Sequence, residues 1–528
     1  MEKKNYFRLG RAADVSLARG YYLFRFLETV PGIMLWATLA GIIFISWRAP
    51  AAASLFIVIF DAYWLLKTIF LSWHLRASYK KMKQHLKLDW LAKLEEIRAY
   101  NPQLKVENWR DIYHLVILPF YKEPYGVVRG SLEAIQQAHY PKDKIILVLG
   151  VEERAGEEAR FIASRLGQEF SRSFFKFIIS EHPTDIAGEI PGKGANETWA
   201  AREAKEKIID SLGIQYEQVL VSSFDIDTRI YPHYFGVITY HYLTTAHPLR
   251  SSYQPIPIYN NNIWDAPFFS RVVASSGTFW QMMQQARAER LSTFSSHSIP
   301  LKPLVEMNYW QTNIVSEDSR IFWQSLLFYD GDWRTVPLFY PVSMDANVGR
   351  TLGETVKNVY KQQRRWGWGV ENFPYLVFGF LKNKKISFRP KLYWSFVQLE
   401  GFWSWATNAL IIFLLGWLPL ILGGAKFNVT VLSYNLPRIT RLLMTLSMAG
   451  IITSAIISSS LLPPRPPHKK KYLWLSMILQ WAFLPLTIIT FGSVPGIDAQ
   501  TRLMLGKYMS FWVTPKLRNP RSNQHQSL

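Results

Sequence analysis

The chain of 528 residues has no cysteine, which excludes a disulfide framework and any thiolate metal site. It has no G-x-x-x-x-G-K-[ST] run, so a P-loop nucleotidase is unsupported. It also lacks a long lysine–arginine block or a known nucleic-acid module. Its formal charge of +21 therefore points to anionic lipid or to a phosphate-bearing substrate, and nucleic acid is not an expected partner.

What the chain does have is long apolar runs. "VPGIMLWATLAGIIFISW" (30–47) is about long enough to cross a bilayer. "AAASLFIVIFDAYWLLKTIFLSW" (51–73) is a second such run, interrupted by Asp61. After a polar middle come runs at 407–424, 439–462 and 472–492. "APAAA" follows the first run as a signal-peptide cleavage site would. The long segment before the run, and the second span directly after it, favour retained helices. Asp61 is either a functional intramembrane carboxylate or one that faces a protein partner.

Lys3, Lys4, Arg8, Arg11, Arg19 and Arg25 precede the first run, and Arg76, Lys80, Lys81, Lys83 and Lys87 follow the second. Arg48 alone lies clearly between them. The positive-inside rule then puts the N-terminus and the middle domain in the cytoplasm. The expected location is the plasma (inner) membrane, multi-pass. Residues 74–100 are basic and amphipathic, and predict a helix lying along the membrane surface.

From about residue 111 short apolar strands alternate with helices. "YHLVILPFY" and "KIILVLGV" read as buried parallel strands around a helix at "VVRGSLEAIQQ", and "QVLVSSFDID" reads as a third strand. Such alternation implies an open α/β sheet whose ligands bind beyond the carboxyl ends of the strands. Polar residues stand at those ends: Tyr121 and Glu123, then Glu152 and Glu153, then Asp225 and Asp227. Two carboxylates in D-x-D spacing suit Mg²⁺ or Mn²⁺, which favour oxygen ligands and substrate phosphates. Lys193 in "PGKGANETWAAREA" sits at a predicted helix start, as a phosphate contact or a solvated loop lysine. Glu317 and Asp318 begin a helical stretch, where the helix dipole alone would account for them. Gln362, Arg365 and Trp366 share one helical face, joining an amide, a guanidinium suited to diphosphate and an indole platform. In "FSSHSIPLKP" (294–303), His297 is either an acceptor contact or a surface histidine.

In this order, P-x-Y-x-E, K-G-x-N, D-x-D, E-D and Q-x-x-R-W resemble the motifs of membrane-embedded family 2 glycosyltransferases of the processive type. Cellulose, chitin and hyaluronan synthases are such enzymes. "FWVTPK" (511–516) is similar to their F-x-V-T-x-K gating loop. The resemblance implies a cytoplasmic GT-A-type, Rossmann-like α/β domain inserted between transmembrane and interfacial helices. It implies a hexosyltransferase that uses Mg²⁺ or Mn²⁺, with a nucleotide-sugar (a UDP-sugar first), a glycan acceptor and the lipid bilayer as partners. Accessory subunits are left open. Carried over, Asp318 is the general base. Tyr121, Glu123, Glu152, Lys193, Asp225, Gln362, Arg365, Trp366, Thr514 and Lys516 hold the nucleotide-sugar. Asp227, with Asp225, ligates the metal, and Trp366 and Glu317 meet the acceptor. Arg364 and Trp368 are left as interfacial residues.

The expected organisation is a cytoplasmic segment (1–29), two spans (30–73), a surface linker (74–110) and the transferase domain (111–390). C-terminal membrane helices (391–494) and an amphipathic tail (495–528) complete it. Two features depart from the family pattern. Glu152-Glu153 stands where paired aspartates are usual, and three full C-terminal spans would put a gating loop outside. One of those runs is therefore expected to be re-entrant, interfacial or subdivided. Two other functions stay in view, a non-processive transferase acting on a lipid-linked or glycan acceptor and a catalytically inactive channel or scaffold.

Overall fold

The structure, a computed structural model, describes residues 5–16, 18–467 and 469–518. Lys3 and Lys4 of the charge bias lie outside the described residues. The middle domain is built on one sheet of β1 (Tyr113–Phe120), β2 (Ile145–Glu152), β3 (Lys176–His182), β4 (Val219–Ser223), β5 (Arg229–Ile230), β6 (Ser251–Ile258), β7 (His297–Pro300) and β8 (Arg334–Ser343). Their order across the sheet is β3-β2-β1-β4-β7-β6-β8-β5. The first four are parallel, and β7 runs antiparallel to β4 and β6. β8 is parallel to β6 and antiparallel to β5.

Alternate side chains of β1 and β2 enter two different cores. Val116, Leu118, Leu147 and Leu149 pack on one face with Val128 and Leu132. Leu115, Ile117, Ile146 and Val148 pack on the other with Ala200, Ala201 and Ala204. A strand covered on both faces reads as a continuous apolar run, so β1, β2 and β4 are visible in sequence. The others are not. β3 is a half-exposed edge strand, β7 has four residues, and β6 and β8 each carry two prolines, which argue against a strand. The β6–β8 pairing shifts register between Gln254 and Ile256, at Pro255.

Four helices among the described residues are long and apolar enough to cross a membrane: Ala18–Arg48, Pro50–His85, Val431–Ser460 and Leu473–Met504. A further pair, Phe388–Phe413 and Leu415–Leu422, is bent by 47°. No separate surface helix follows the second span. The helix Pro50–His85 continues unbroken, because nothing in 74–85 breaks it. Leu75 and Met82 pack on Ile256, Ile258 and Val272 of the sheet domain, while Lys80, Lys81 and Lys83 face outward.

The last apolar run is divided into short turns of helix between Leu473 and Ser493. It lies antiparallel along the helix Phe268–Gln285. Trp481 stacks on Phe279 with centroids 5.7 Å apart, and Phe491 stacks on Phe269 at 5.1 Å. Arg271 Nε donates to Gln480 Oε1 between them, at 2.6 Å.

Arg320, on the helix Glu317–Phe328, ties the N-terminal segment to the domain. Its side chain is wholly buried. It donates to Leu9 O at 3.1 Å, Gln311 Oε1 at 2.8 Å and Asn372 Oδ1 at 2.5 Å, and lies 3.8 Å over the Tyr375 ring. Arg320→Met leaves those buried acceptors unpaired, at a cost of about 1–3 kcal/mol. The expected result is an earlier thermal-inactivation midpoint in detergent. Arg320→Lys restores only part of it, because an ammonium lacks the planar fork.

Candidate active site

The polar residues after β1, β2 and β4 converge at one end of the sheet. Lys193 opens the helix Lys193–Ala204 and is held between two carboxylates, Asp225 Oδ1 at 2.8 Å and Asp318 Oδ1 at 2.6 Å. Burial works against its charge, but Asp225, Asp318, Glu197 and Glu317 outweigh that and raise its pKa. The lysine thus orders the base as well as the D-x-D loop, a pairing invisible in its glycine-rich sequence context. Asp225 Oδ2 accepts from Ser295 Oγ at 2.8 Å. Although burial opposes its charge, Lys193 and Lys516 hold Asp225 well below the usual carboxylate range. Gln254 fixes the Ser295 loop through Phe294 N at 2.8 Å and Ser296 O at 3.1 Å.

Asp318 lines a large cavity. Burial pushes its carboxyl up to about 6, with Lys193 pulling the other way. Glu197, Glu317 and Asp318 each place a carboxylate oxygen within 4.8 Å of the others. Glu317 is buried with neither oxygen hydrogen-bonded. Burial raises its pKa well above the ordinary range and takes Glu197 to about 8. These two therefore carry protons at neutral pH, and the Lys193 ammonium answers the ionised Asp225 and Asp318.

Asp227 is fully buried. Its Oδ2 accepts from Lys516 Nζ and from Asp345 N, both at 2.8 Å, while Oδ1 has no partner. An ammonium seated against a D-x-D carboxylate with an open oxygen shows that the pair accepts a hard cation. Asp225 and Asp227 thus fit Mg²⁺ or Mn²⁺.

After β1, Glu123 Oε2 accepts from Tyr121 N at 2.9 Å, and burial pushes Glu123 up to about 7. Of the two glutamates after β2, Glu152 is the inward one. It is buried and paired with Arg154, whose guanidinium lies 4.7 Å over the Tyr121 ring. Glu153 turns outward and accepts from Thr184 N at 2.8 Å.

Gln362, Arg365 and Trp366 lie on the helix Leu352–Gly367 and line the same cavity as Asp318. Trp366 is framed by Tyr259 at 6.1 Å and Phe294 at 5.8 Å. Asn347 Nδ2 donates to Gln362 Oε1 at 3.4 Å. The Arg365 guanidinium lies 5.0 Å over Phe511, and its Nε has no partner. Thr514 is buried, with its hydroxyl unpaired.

Three expectations are corrected. Arg364 pairs with Asp498 at 3.0 Å. Trp368 is buried and donates to Glu371 Oε2 at 2.8 Å, so it is a packed residue and not an interfacial one. His297 is neither an acceptor contact nor on the surface: it is wholly buried in β7. Its Nε2 accepts from Trp310 Nε1 at 3.3 Å and its Nδ1 faces Ser295 O at 2.8 Å. Burial lowers its pKa to about 4, which makes it a neutral support behind Asp318. Ser295, Asp345, Arg154 and Arg518 belong to the site without a sequence motif to announce them.

No protein-family model matches the chain, and no curated protein sequence does. Among solved structures, the mannosyltransferase PcManGT from Pyrobaculum calidifontis, in complex with GDP-Man and Mn²⁺, is similar. It has 16% identity and a TM-score of 0.41, over 76% of this chain and 98% of that one. S. aureus TarS 1–349 in complex with UDP-GlcNAc is similar at 10% identity and a TM-score of 0.35, over 75% and 93% of the two chains. At TM-scores this low neither likeness decides the function, which we read from this chain's own residues.

Proposed function

We propose that this protein is a membrane-bound inverting glycosyltransferase that extends a β-linked polysaccharide from a nucleotide-sugar and passes the product between its own helices. The observation that carries the reading is a single cavity of about 1860 Å³. It begins at Asp225, Asp318 and Trp366 and continues between the apolar helices to Asp61, Trp417 and Arg441. Trp280, Trp394, Phe402, Trp405 and Trp64 line its course. Flat aromatic faces suit the apolar faces of sugar rings, and an aromatic-lined passage that starts at a catalytic carboxylate suits a polymer made and moved at one site.

The chemistry is one displacement. The acceptor hydroxyl oxygen bonds to the anomeric carbon of the donor as that carbon's bond to the diphosphate breaks. Asp318 takes the hydroxyl proton, and the nucleoside diphosphate leaves with the bonding pair. The acceptor enters opposite the leaving group, so an α-linked donor gives a β-linkage. Arg365, with its free Nε in the cavity wall, meets the diphosphate. Trp366 supports the acceptor's terminal sugar, and Tyr121 with the Arg154–Glu152 pair lines the nucleotide's side. A divalent cation held by Asp225 and Asp227 would offset charge on the leaving group.

We read Ala18–Arg48, Pro50–His85, Phe388–Phe413 and Val431–Ser460 as the crossings, and the broken 473–493 run as interfacial because it follows the helix Phe268–Gln285. An even number of crossings returns the tail to the side of the catalytic domain, where Lys516 meets Asp227. The test is nucleoside-diphosphate release by purified, detergent-solubilised protein across a panel of UDP- and GDP-sugars with Mg²⁺ or Mn²⁺. One donor is expected to be consumed, with loss of release in excess chelator. Silence with every donor, with acceptor and membrane lipid supplied, would remove the reading.

A further inference from the structure

The tail 511–518 is inserted among the catalytic carboxylates. Phe511 packs so tightly on Gly192, next to Lys193, that a Cβ added at that glycine would meet the ring at 2.6 Å. The Lys361 ammonium lies 5.1 Å from the Trp512 ring centroid. Asn262 Nδ2 donates to Leu517 O at 3.4 Å. Between these anchors Lys516 Nζ lies 2.8 Å from Asp227 Oδ2. Two residues on, Arg518 grips Asp345 with Nε 2.9 Å from Oδ2 and Nη2 2.6 Å from Oδ1. Its side chain is 4% exposed and that of Asp345 1%.

Asp345 belongs to the D-x-D loop by structure, although it lies far away in sequence. Its backbone N–H donates to Asp227 Oδ2 at 2.8 Å. Asn261 Nδ2 bridges Asp345 Oδ1 at 2.9 Å and Asp227 O at 3.0 Å. Asp225, Asp227 and Asp345 therefore form one enclosed anionic set, faced by two positive charges from one stretch of tail. Buried carboxylates without a counter-charge are strongly unfavourable, so something must hold this set in every state of the enzyme. Two side-chain cations carry the charge of one divalent ion, and Asp227 Oδ1 is left over as an open oxygen.

We propose that the tail and a divalent cation exclude one another at a single site made by Asp225, Asp227 and Asp345. Lys516 and Arg518 hold these carboxylates until the cation replaces them. Asp345 is then a third cation ligand, outside any motif, and Arg518 extends the tail's grip beyond the F-x-V-T-x-K residues. The identity of the cation as Mg²⁺ or Mn²⁺ rests on the glycosyltransferase reading. Cation arrival releases Lys516 and Arg518 together, so the tail leaves the carboxylates as the site fills.

The test uses the full-length protein in detergent without nucleotide, and reads Mn²⁺ binding by the loss of the free-ion EPR signal. A tail docked about 90% of the time weakens apparent Mn²⁺ affinity about tenfold. Lys516→Met with Arg518→Met is therefore expected to bind Mn²⁺ at least about tenfold more tightly than the unaltered protein. Adding Asp345→Asn to that pair weakens binding again. In the unaltered protein, trypsin cleavage after Lys516 and Arg518 is expected to quicken with Mn²⁺, which tests the idea without any substitution. Equal Mn²⁺ affinity in the unaltered and doubly substituted proteins, with the tail equally protected, would overturn the proposal and leave the transferase reading standing. No Mn²⁺ binding by any of them would overturn both the proposal and the cation's place in that reading.

Discussion

Asp318→Asn is expected to lower sugar transfer about 10³-fold, the range lost when a positioned general base is removed. Asparagine keeps the shape of the aspartate and can still face Lys193, which lies 2.6 Å from Asp318 Oδ1. What it loses is the ability to take the acceptor's proton. The measurement is nucleoside-diphosphate release under saturating donor, with the detergent-solubilised protein's elution profile and melting midpoint as folding controls. A loss of less than tenfold in well-folded protein would remove Asp318 from its role.

The same carboxylate sets an acid limb. Burial raises Asp318 to about 6, while Lys193 and Arg365 lower it and Asp225 raises it. The unprotonated form is the base, so the rate is expected to fall about tenfold per unit as pH drops below about 6. Lys193→Met removes the positive charge that favours the carboxylate and should move this limb to higher pH. A loss of rate with no movement of the limb would mean that Lys193 only shapes the loop.

The fold was readable where the chain is buried on two sides. β1, β2 and β4 declare themselves by unbroken apolar runs, and the polar residues that follow them end up in one place. β6 and β8 stayed hidden because prolines sit inside them, and these strands reveal themselves only through their neighbours. The site divides in the same way. Residues in tight spacing, such as Asp225 with Asp227 or Gln362 with Arg365 and Trp366, carry their own signal. Partnerships across the chain do not: nothing in sequence joins Lys193 to Asp318, Lys516 to Asp227 or Arg518 to Asp345. Ser295 reaches Asp225 only because Gln254, from β6, fixes the loop that carries it. Helix boundaries were legible in part. The second span has no breaker at its apolar limit, so it runs on to His85 and buries Leu75 and Met82 in the domain.

Gly401→Trp separates a polymerising enzyme from one that adds a single sugar. Gly401 lines the cavity on the helix Phe388–Phe413, beside the Lys67–Glu400 ion pair at 3.0 Å. A Cβ built there meets nothing within 4 Å, so the indole projects into the passage and not into packed protein. The substitution also leaves Asp318, Trp366 and the D-x-D loop untouched. A chain advancing past the indole must displace it or the wall, and overpacking of that kind costs about 1–3 kcal/mol. Each advance is then slowed about 5- to 150-fold, while the first transfers need no advance and keep their rate. The expected result is an unchanged initial burst of nucleoside diphosphate followed by a slow phase, with product sized by gel electrophoresis shortened to a few sugars. A transferase that releases each product sideways to a lipid or glycan acceptor would show neither the burst nor the shortening. Unaltered product length in Gly401→Trp would therefore close this passage as the polymer's route, and unaltered length together with one sugar per acceptor would replace the processive reading with the single-addition one.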